Sequence, residues 1–178
     1  HPTAWVTLAD APDNTAARRD GVRVVTLDRG YPLGVPARSP WLLLGAKTLS
    51  YAVNMAAIRE AKRRGADDAV FVTTDGFVLE APTASVLLRI DGRFVTPAPS
   101  AGILHGTTQL SVFAHLEGRG LQAAYETVPV ADLARADAAW LLSSVRLAAP
   151  ISAVDGVPVA IDRDLTDELN AFLLARRD

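Results

Sequence analysis

The chain contains no cysteine, which excludes a disulfide, a thiolate metal site and a cysteine nucleophile and fits a reducing, cytoplasmic setting. Long apolar runs are missing too. None approaches the ~20 residues that a bilayer span needs, and the first residues lack the order of a signal peptide, so no membrane partner is expected. Charge of one sign is also scarce. With 18 Lys and Arg against 20 Asp and Glu, the formal net charge is −2, which leaves no electrostatic footprint for nucleic acid or an anionic bilayer. The three histidines, His1, His105 and His115, show neither metal-ligand spacing nor a triad partner. They read as ordinary surface or loop residues, with no metal site. What is present is a globular composition, 49% hydrophobic and 21% charged over 178 residues, enough to bury one core and short enough to be mostly one domain.

Strand and helix signals alternate at short intervals. Trp5-Val6-Thr7-Leu8 reads as a strand broken by the polar and Pro-containing residues 9–14. A lone short strand cannot bury itself. Either it is the end of an N-terminal part that supplies its partners, or it joins the sheet made by the rest. Residues 22–26 are strand-like, 30–40 form a Pro/Gly-rich loop, and 48–64 read as one amphipathic helix ended by Gly65, with Tyr51, Met55 and Ile58 on its apolar face. Strands are expected at 69–74, 77–80, 85–90 and 93–96, with Asp75-Gly76 and Asp91-Gly92 as hairpin turns. A helix should run from Gly106 to about residue 118 or 120, with Leu110, Val112, Phe113 and Leu116 inward. Strands at 123–128, 138–142 and 150–154, a short helix at 131–135, a turn at Asp155-Gly156 and a last helix at 165–176 complete the pattern. Mixed strands, hairpins and packed helices predict an α+β arrangement rather than a doubly wound parallel sheet.

Four features carry chemistry. Lys47 closes the apolar run 41–46; a lysine held against apolar surface loses hydration of its charged form, and its neutral amine then condenses with an aldehyde. The alternative is a solvated charge whose stem covers apolar neighbours. Glu80 ends a strand before the turn 81–84 and is either an exposed strand end or a carboxylate aimed into a pocket. Gly106-Thr107-Thr108 offers free N–H groups, a positive dipole end and hydroxyls suited to a phosphate, unless the threonines merely cap the helix. Ser143-Ser144 follow the apolar strand 140–142 and either present hydroxyls to an anion or simply form a turn. Amine, carboxylate, helix start and hydroxyl turn are what a pyridoxal phosphate site requires.

Several motifs in order, Leu44-Gly45-Ala46-Lys47-Thr48-Leu49-Ser50-Tyr51, the helix end 60–69, Asp75-Gly76-Phe77-Val78-Leu79-Glu80, Val95-Thr96-Pro97 and Ile103-Leu104-His105-Gly106-Thr107-Thr108, resemble the class IV aminotransferases. That family holds branched-chain and D-amino acid aminotransferases and aminodeoxychorismate lyase. The resemblance covers roughly residues 20 to 160. It implies that Lys47 carries pyridoxal 5'-phosphate as a Schiff base and moves the proton at the substrate carbon, and that Glu80 partners the pyridine nitrogen. It also implies that Thr107, Thr108 and Ser144 meet the phosphate. Tyr51 stands four residues past the lysine, where branched-chain enzymes have a tyrosine five past it; it is a candidate for the cofactor's phenolic oxygen or an aromatic on the helix's core face. Gln109 stands where the family often has Arg, and Ser85 where Asn is common.

Residues 47–50 look closer to the lyase and D-amino acid branch. The favoured activity is therefore lyase-like release of pyruvate to give 4-aminobenzoate, with D-amino acid or branched-chain amino transfer as the alternative. The resemblance further implies that residues 1–19 are the last strand of an N-terminal domain plus linker, and that 20–178 are the larger C-terminal, cofactor-binding domain. A homodimer, a small amino substrate, and an N-terminal domain that completes the site go with it. A further alternative is that the chain is a catalytically incomplete, cofactor-binding fragment.

Overall fold

The computed structural model describes residues 3–10 and 12–175; His1, Ala11 and Arg176, all included in the expectations above, lie outside the described residues. Eight strands, β1 Val22–Asp28, β2 Asp68–Val72, β3 Ser85–Ile90, β4 Arg93–Pro97, β5 Ala123–Glu126, β6 Ala138–Ser143, β7 Leu147–Val154 and β8 Val157–Pro158, form one sheet. Its order is β2-β1-β7-β6-β3-β4-β5, with β8 on β7. The pairs β1 with β2, β1 with β7 and β4 with β5 are parallel, and the others antiparallel. Six helices accompany it: α1 Thr15–Asp20, α2 Val35–Arg38, α3 Ala52–Arg63, α4 Thr107–Gly118, α5 Val130–Arg135 and α6 Arg163–Ala175. The mixed sheet is the α+β arrangement that the pattern predicts. No helix among the described residues is long and apolar enough to cross a membrane.

Period-two alternation sorts the central strands onto two covered faces. Val86, Leu88 and Leu141 face one cluster with Leu133 of α5, while Leu87, Trp140 and Leu142 face another with Val112, Phe113 and Leu116 of α4 and Leu169 of α6. A third cluster places Ala57 and Ala61 of α3 against Val25, Phe71, Leu79 and Ile103. Asp91-Gly92 and Asp155-Gly156 turn as predicted, with positive φ at both positions, the twist that a two-residue hairpin requires.

Several expectations are corrected. Residues 5–8 form no strand and Trp5, Val6 and Leu8 are 80%, 95% and 99% exposed, so they do not join the chain's own sheet; an extended segment without a ladder partner gains no strand hydrogen bonds. α3 starts at Ala52, not Thr48, because the Ser50 N–H turns to the Thr48 hydroxyl at 3.2 Å and the Tyr51 N–H to the Leu49 carbonyl at 2.9 Å, local bonds that compete with the helix. Its buried residues are Ala57 and Ala61, while Met55 is exposed, since small side chains let the helix lie close on β2. In α4, Leu110 is exposed and Thr108 and Gln109 are buried in its place. Residues 77–80 also depart from a regular strand: the Phe71 N–H donates to the Glu80 carbonyl and the Leu79 N–H to the Phe71 carbonyl, but Val78 gives its N–H to Val128. The arm therefore holds only isolated bridges, and β5 stops at Glu126. α1 and α2 were not anticipated by the sequence pattern.

Candidate active site

A cleft of about 660 Å³ is lined by all six candidate residues, Lys47, Tyr51, Glu80, Thr107, Thr108 and Ser144, a volume in the range of small-molecule sites. The Lys47 loop is shaped by positive φ at Leu43 and Gly45. A Cβ on Gly45 would lie 2.7 Å from the Ile103 carbonyl oxygen, so only glycine allows the loop to press against that backbone. Lys47 Nζ donates to Tyr51 Oη at 3.4 Å. The apolar run before it is not a wall. Trp41 and Leu43 are 73% and 63% exposed, and Lys47 itself is exposed, so the desolvation expected from the sequence is not supplied by this run, which lies at the cleft's open mouth.

Glu80 leaves the irregular arm after residue 79 and turns inward. Its Oε2 accepts the Leu104 N–H at 3.1 Å. Burial pushes the carboxyl up to about 7, against the opposing pulls of that bond and of the Arg29 charge. The exposed strand-end alternative is thereby excluded. Burial thus outweighs the Arg29 charge in setting this carboxyl, and a protonated pyridine nitrogen would supply a further counter-charge.

α4 begins at Thr107 with Gly106 as its N-cap and no side-chain cap, so the threonines do not cap it. Its first N–H groups and positive dipole end face the cleft uncapped. Gly106 packs closely on Ser85, since a Cβ there would stand 2.6 Å from Ser85 Oγ and that hydroxyl would have to turn aside. In the β6–β7 turn Ser143 is the turn former, its Oγ accepting the Arg146 N–H at 3.2 Å, while Ser144 is exposed into the cleft.

Arg29 and Tyr31, which also line the cleft, were missed by the sequence argument. Arg29 follows β1, gives its N–H to the Val72 carbonyl and lays its guanidinium 4.6 Å from the Phe71 ring centroid. The Tyr31 hydroxyl is pushed up, mainly by burial. A cation directly after an apolar strand and before Gly30 was the available signal. His105 also lines the cleft and meets the Tyr125 hydroxyl at 2.9 Å; that hydroxyl donates to Gln109 Oε1 at 3.1 Å. His115 instead pairs with Glu168 at 2.7 Å and stacks on Phe172. Among the described residues no cluster of His, Asp and Glu is arranged to hold a metal. Amine, half-buried carboxyl, uncapped helix start and serine turn around one cleft fit pyridoxal phosphate.

The family model of Amino-transferase class IV matches residues 1–154. The bifunctional aminodeoxychorismate lyase / D-amino acid transaminase of Mycobacterium tuberculosis is 45% identical over 163 residues, which is 87% of this chain and 56% of that protein. A fold IV transaminase of Curtobacterium pusillum superposes with a TM-score of 0.91 at 52% identity, over 94% of this chain and 56% of that one. A hypothetical aminotransferase of Mycobacterium tuberculosis in its PLP-bound form gives 0.89 at 42%, over 95% of this chain and 61% of that one. The chain thus spans a little over half the length of these relatives.

Proposed function

The chain belongs to the class IV aminotransferase family, whose members are pyridoxal phosphate enzymes, and from that premise we propose an aminodeoxychorismate lyase-like activity that releases pyruvate and leaves 4-aminobenzoate. The observation that carries the cofactor site is the meeting of Lys47 and the burial-shifted Glu80 in one cleft. The lyase reading is supported by the 45% identity to the bifunctional mycobacterial enzyme. Because that relative is also named a D-amino acid transaminase, amino transfer from a D-amino acid to a keto acid is the second reading.

Pyridoxal phosphate, when bound, supplies an electron sink for charge that develops at the substrate's amino-bearing carbon. Lys47 would hold the cofactor's aldehyde carbon and, when displaced, move the proton at that substrate carbon. Glu80 would keep the ring nitrogen protonated, its own burial then compensated by the pyridinium. The first N–H groups of α4, with Thr107, Thr108 and Ser144, would bind the phosphate. Tyr51, within reach of Lys47 Nζ, would orient the amine and the ring's phenolic oxygen.

Exposed apolar residues line the cleft, Leu42, Leu43 and Val53 of α3, and Trp41, Leu49 and Met55, near them in sequence, are exposed as well. Such a patch supports coverage by an N-terminal domain and by a second copy in a homodimer. Alone, the chain would then bind cofactor and turn over little. The deciding assay measures pyruvate release from aminodeoxychorismate beside amino transfer from D- and L-amino acids to keto acids. In a version extended at its N-terminus, pyruvate release without a keto-acid acceptor is expected. Transfer from D-amino acids without pyruvate release would replace the lyase reading with the second one, and cofactor binding with neither activity would leave an incomplete fragment.

A further inference from the structure

The turn that presents Ser144 is held from behind by an ion pair. Arg146 Nη2 donates to Asp68 Oδ2 at 2.6 Å, across 78 positions of sequence. The two side chains are only 16% and 5% exposed. Asp68 opens β2, which is separated from β7 by β1, so the bond reaches over a whole strand to the start of the β7 hairpin. Its other oxygen, Oδ1, accepts the Ala69 N–H at 2.8 Å, which fixes the carboxylate to the β2 backbone. On the far side, the Arg146 N–H closes the turn on Ser143 Oγ, and Leu147 next to it takes a left-handed φ of 64°. The guanidinium thus ties the chain around Ser143 and Ser144 to a rigid sheet edge. Arg146 also lines, with Ser143, Ser144, Lys47 and Tyr51, a second cavity of about 480 Å³ beside the cleft.

We infer that Arg146, anchored by Asp68, is a positioning residue that sets the Ser143–Ser144 turn to receive the cofactor's phosphate. It acts through geometry rather than through charge, because Asp68 balances its charge at 2.6 Å. The inference rests on the proposal that Ser144 meets the phosphate.

The test titrates the apoprotein with pyridoxal phosphate and, separately, with pyridoxal, which lacks the phosphate. The variants are Arg146→Met, the double change Asp68→Asn with Arg146→Met, and Ser144→Ala. Arg146→Met should weaken pyridoxal phosphate by about tenfold and pyridoxal by less than about twofold, the scale of losing one good charge-assisted contact. It should also lower the melting temperature, because it strands a buried carboxylate. The double variant should regain melting temperature, since removing both partners of a buried pair is tolerated, yet stay weak for pyridoxal phosphate alone. If Arg146→Met does not fold, the double variant carries the comparison. Recovery of both stability and phosphate-dependent affinity in the double variant would make the pair merely structural and overturn the inference. Equal losses for the two ligands would overturn it as well. Ser144→Ala separates this from the underlying proposal: if that change leaves both affinities at parent values, the phosphate role of Ser144 itself fails, and the inference with it.

Discussion

Glu80 Oε2 accepts the Leu104 N–H at 3.1 Å, yet that bond and the Arg29 charge together are outweighed by burial, and the carboxyl sits at about 7 rather than its ordinary 4.5. A folded-state value above the unfolded one means that the native chain holds a proton which the unfolded chain has released. The contribution is therefore full below pH 4.5 and is lost as pH rises through about 7, an effect on the order of 3 kcal/mol. In the cofactor-free protein, urea unfolding between about pH 5 and pH 8 should show stability falling as pH rises, and Glu80→Gln should flatten that slope. An unchanged slope in Glu80→Gln would assign the pH dependence elsewhere. In an active holoenzyme the same change should cut turnover on the order of 10² while the fold persists, because the ring nitrogen loses its proton-holding partner.

Lys47 and Lys62 are the only lysines of the chain, which makes the cofactor attachment easy to assign. Pyridoxal phosphate followed by borohydride should fix the cofactor's mass on the peptide containing Lys47. Label on the Lys62 peptide would remove Lys47 from its proposed role. Tyr51→Phe should preserve the labelled site while shifting the absorbance of the bound cofactor, since the hydroxyl 3.4 Å from Nζ is lost; an identical spectrum would return Tyr51 to a packing role.

α6 is docked on the sheet by polar contacts inside an apolar interface. The fully buried Trp140 gives its Nε1–H to Thr166 Oγ1 at 2.8 Å. Thr166→Val keeps the shape and leaves a buried indole donor unpaired, so it should cost about 1–3 kcal/mol in the unfolding free energy. Cofactor affinity should hold, because neither residue lines the cleft. A value within error of the parent would show that the indole finds another acceptor.

What the sequence revealed and what it hid divide along the range of the interactions. Strand β3 was legible to the residue because Ser85–Ile90 is bounded by a proline-containing turn on one side and Asp91-Gly92 on the other. The gathering of the six candidate residues around one cleft was anticipated through the family resemblance of the motifs that hold them. The start of α3 was not, since a hydroxyl at Thr48 captures the Ser50 N–H, a local competition that hydrophobic periodicity does not register. Its inner face was misjudged for a related reason: Met55 is more apolar than Ala57, but the tight approach to β2 selects the smaller side chain. Arg29 and the Asp68–Arg146 pair were invisible because their partners, Phe71 and each other, are brought near only by sheet order.

Gly45 tests whether backbone contact, rather than side chains, fixes the Lys47 loop. Its φ of +83° strains any L residue, and a Cβ would meet Ile103 O at 2.7 Å and Ile103 C at 3.0 Å, backbone atoms that cannot swing aside. Ile103 precedes Leu104, whose N–H holds Glu80, so displacement there moves both ends of the proposed site. Gly65→Ala is the control, because its φ is also positive, at +79°, but nothing lies within 4 Å of the added carbon. The control should lose about 1 kcal/mol from strain alone and bind cofactor as the parent does. Gly45→Ala should lose more than that and weaken pyridoxal phosphate and pyridoxal alike, by about tenfold or more, because misplacing the amine and the carboxyl affects the ring rather than the phosphate. If Gly45→Ala matches Gly65→Ala in both stability and affinity, the loop relaxes around the added methyl and the Gly45–Ile103 contact does not set the position of Lys47.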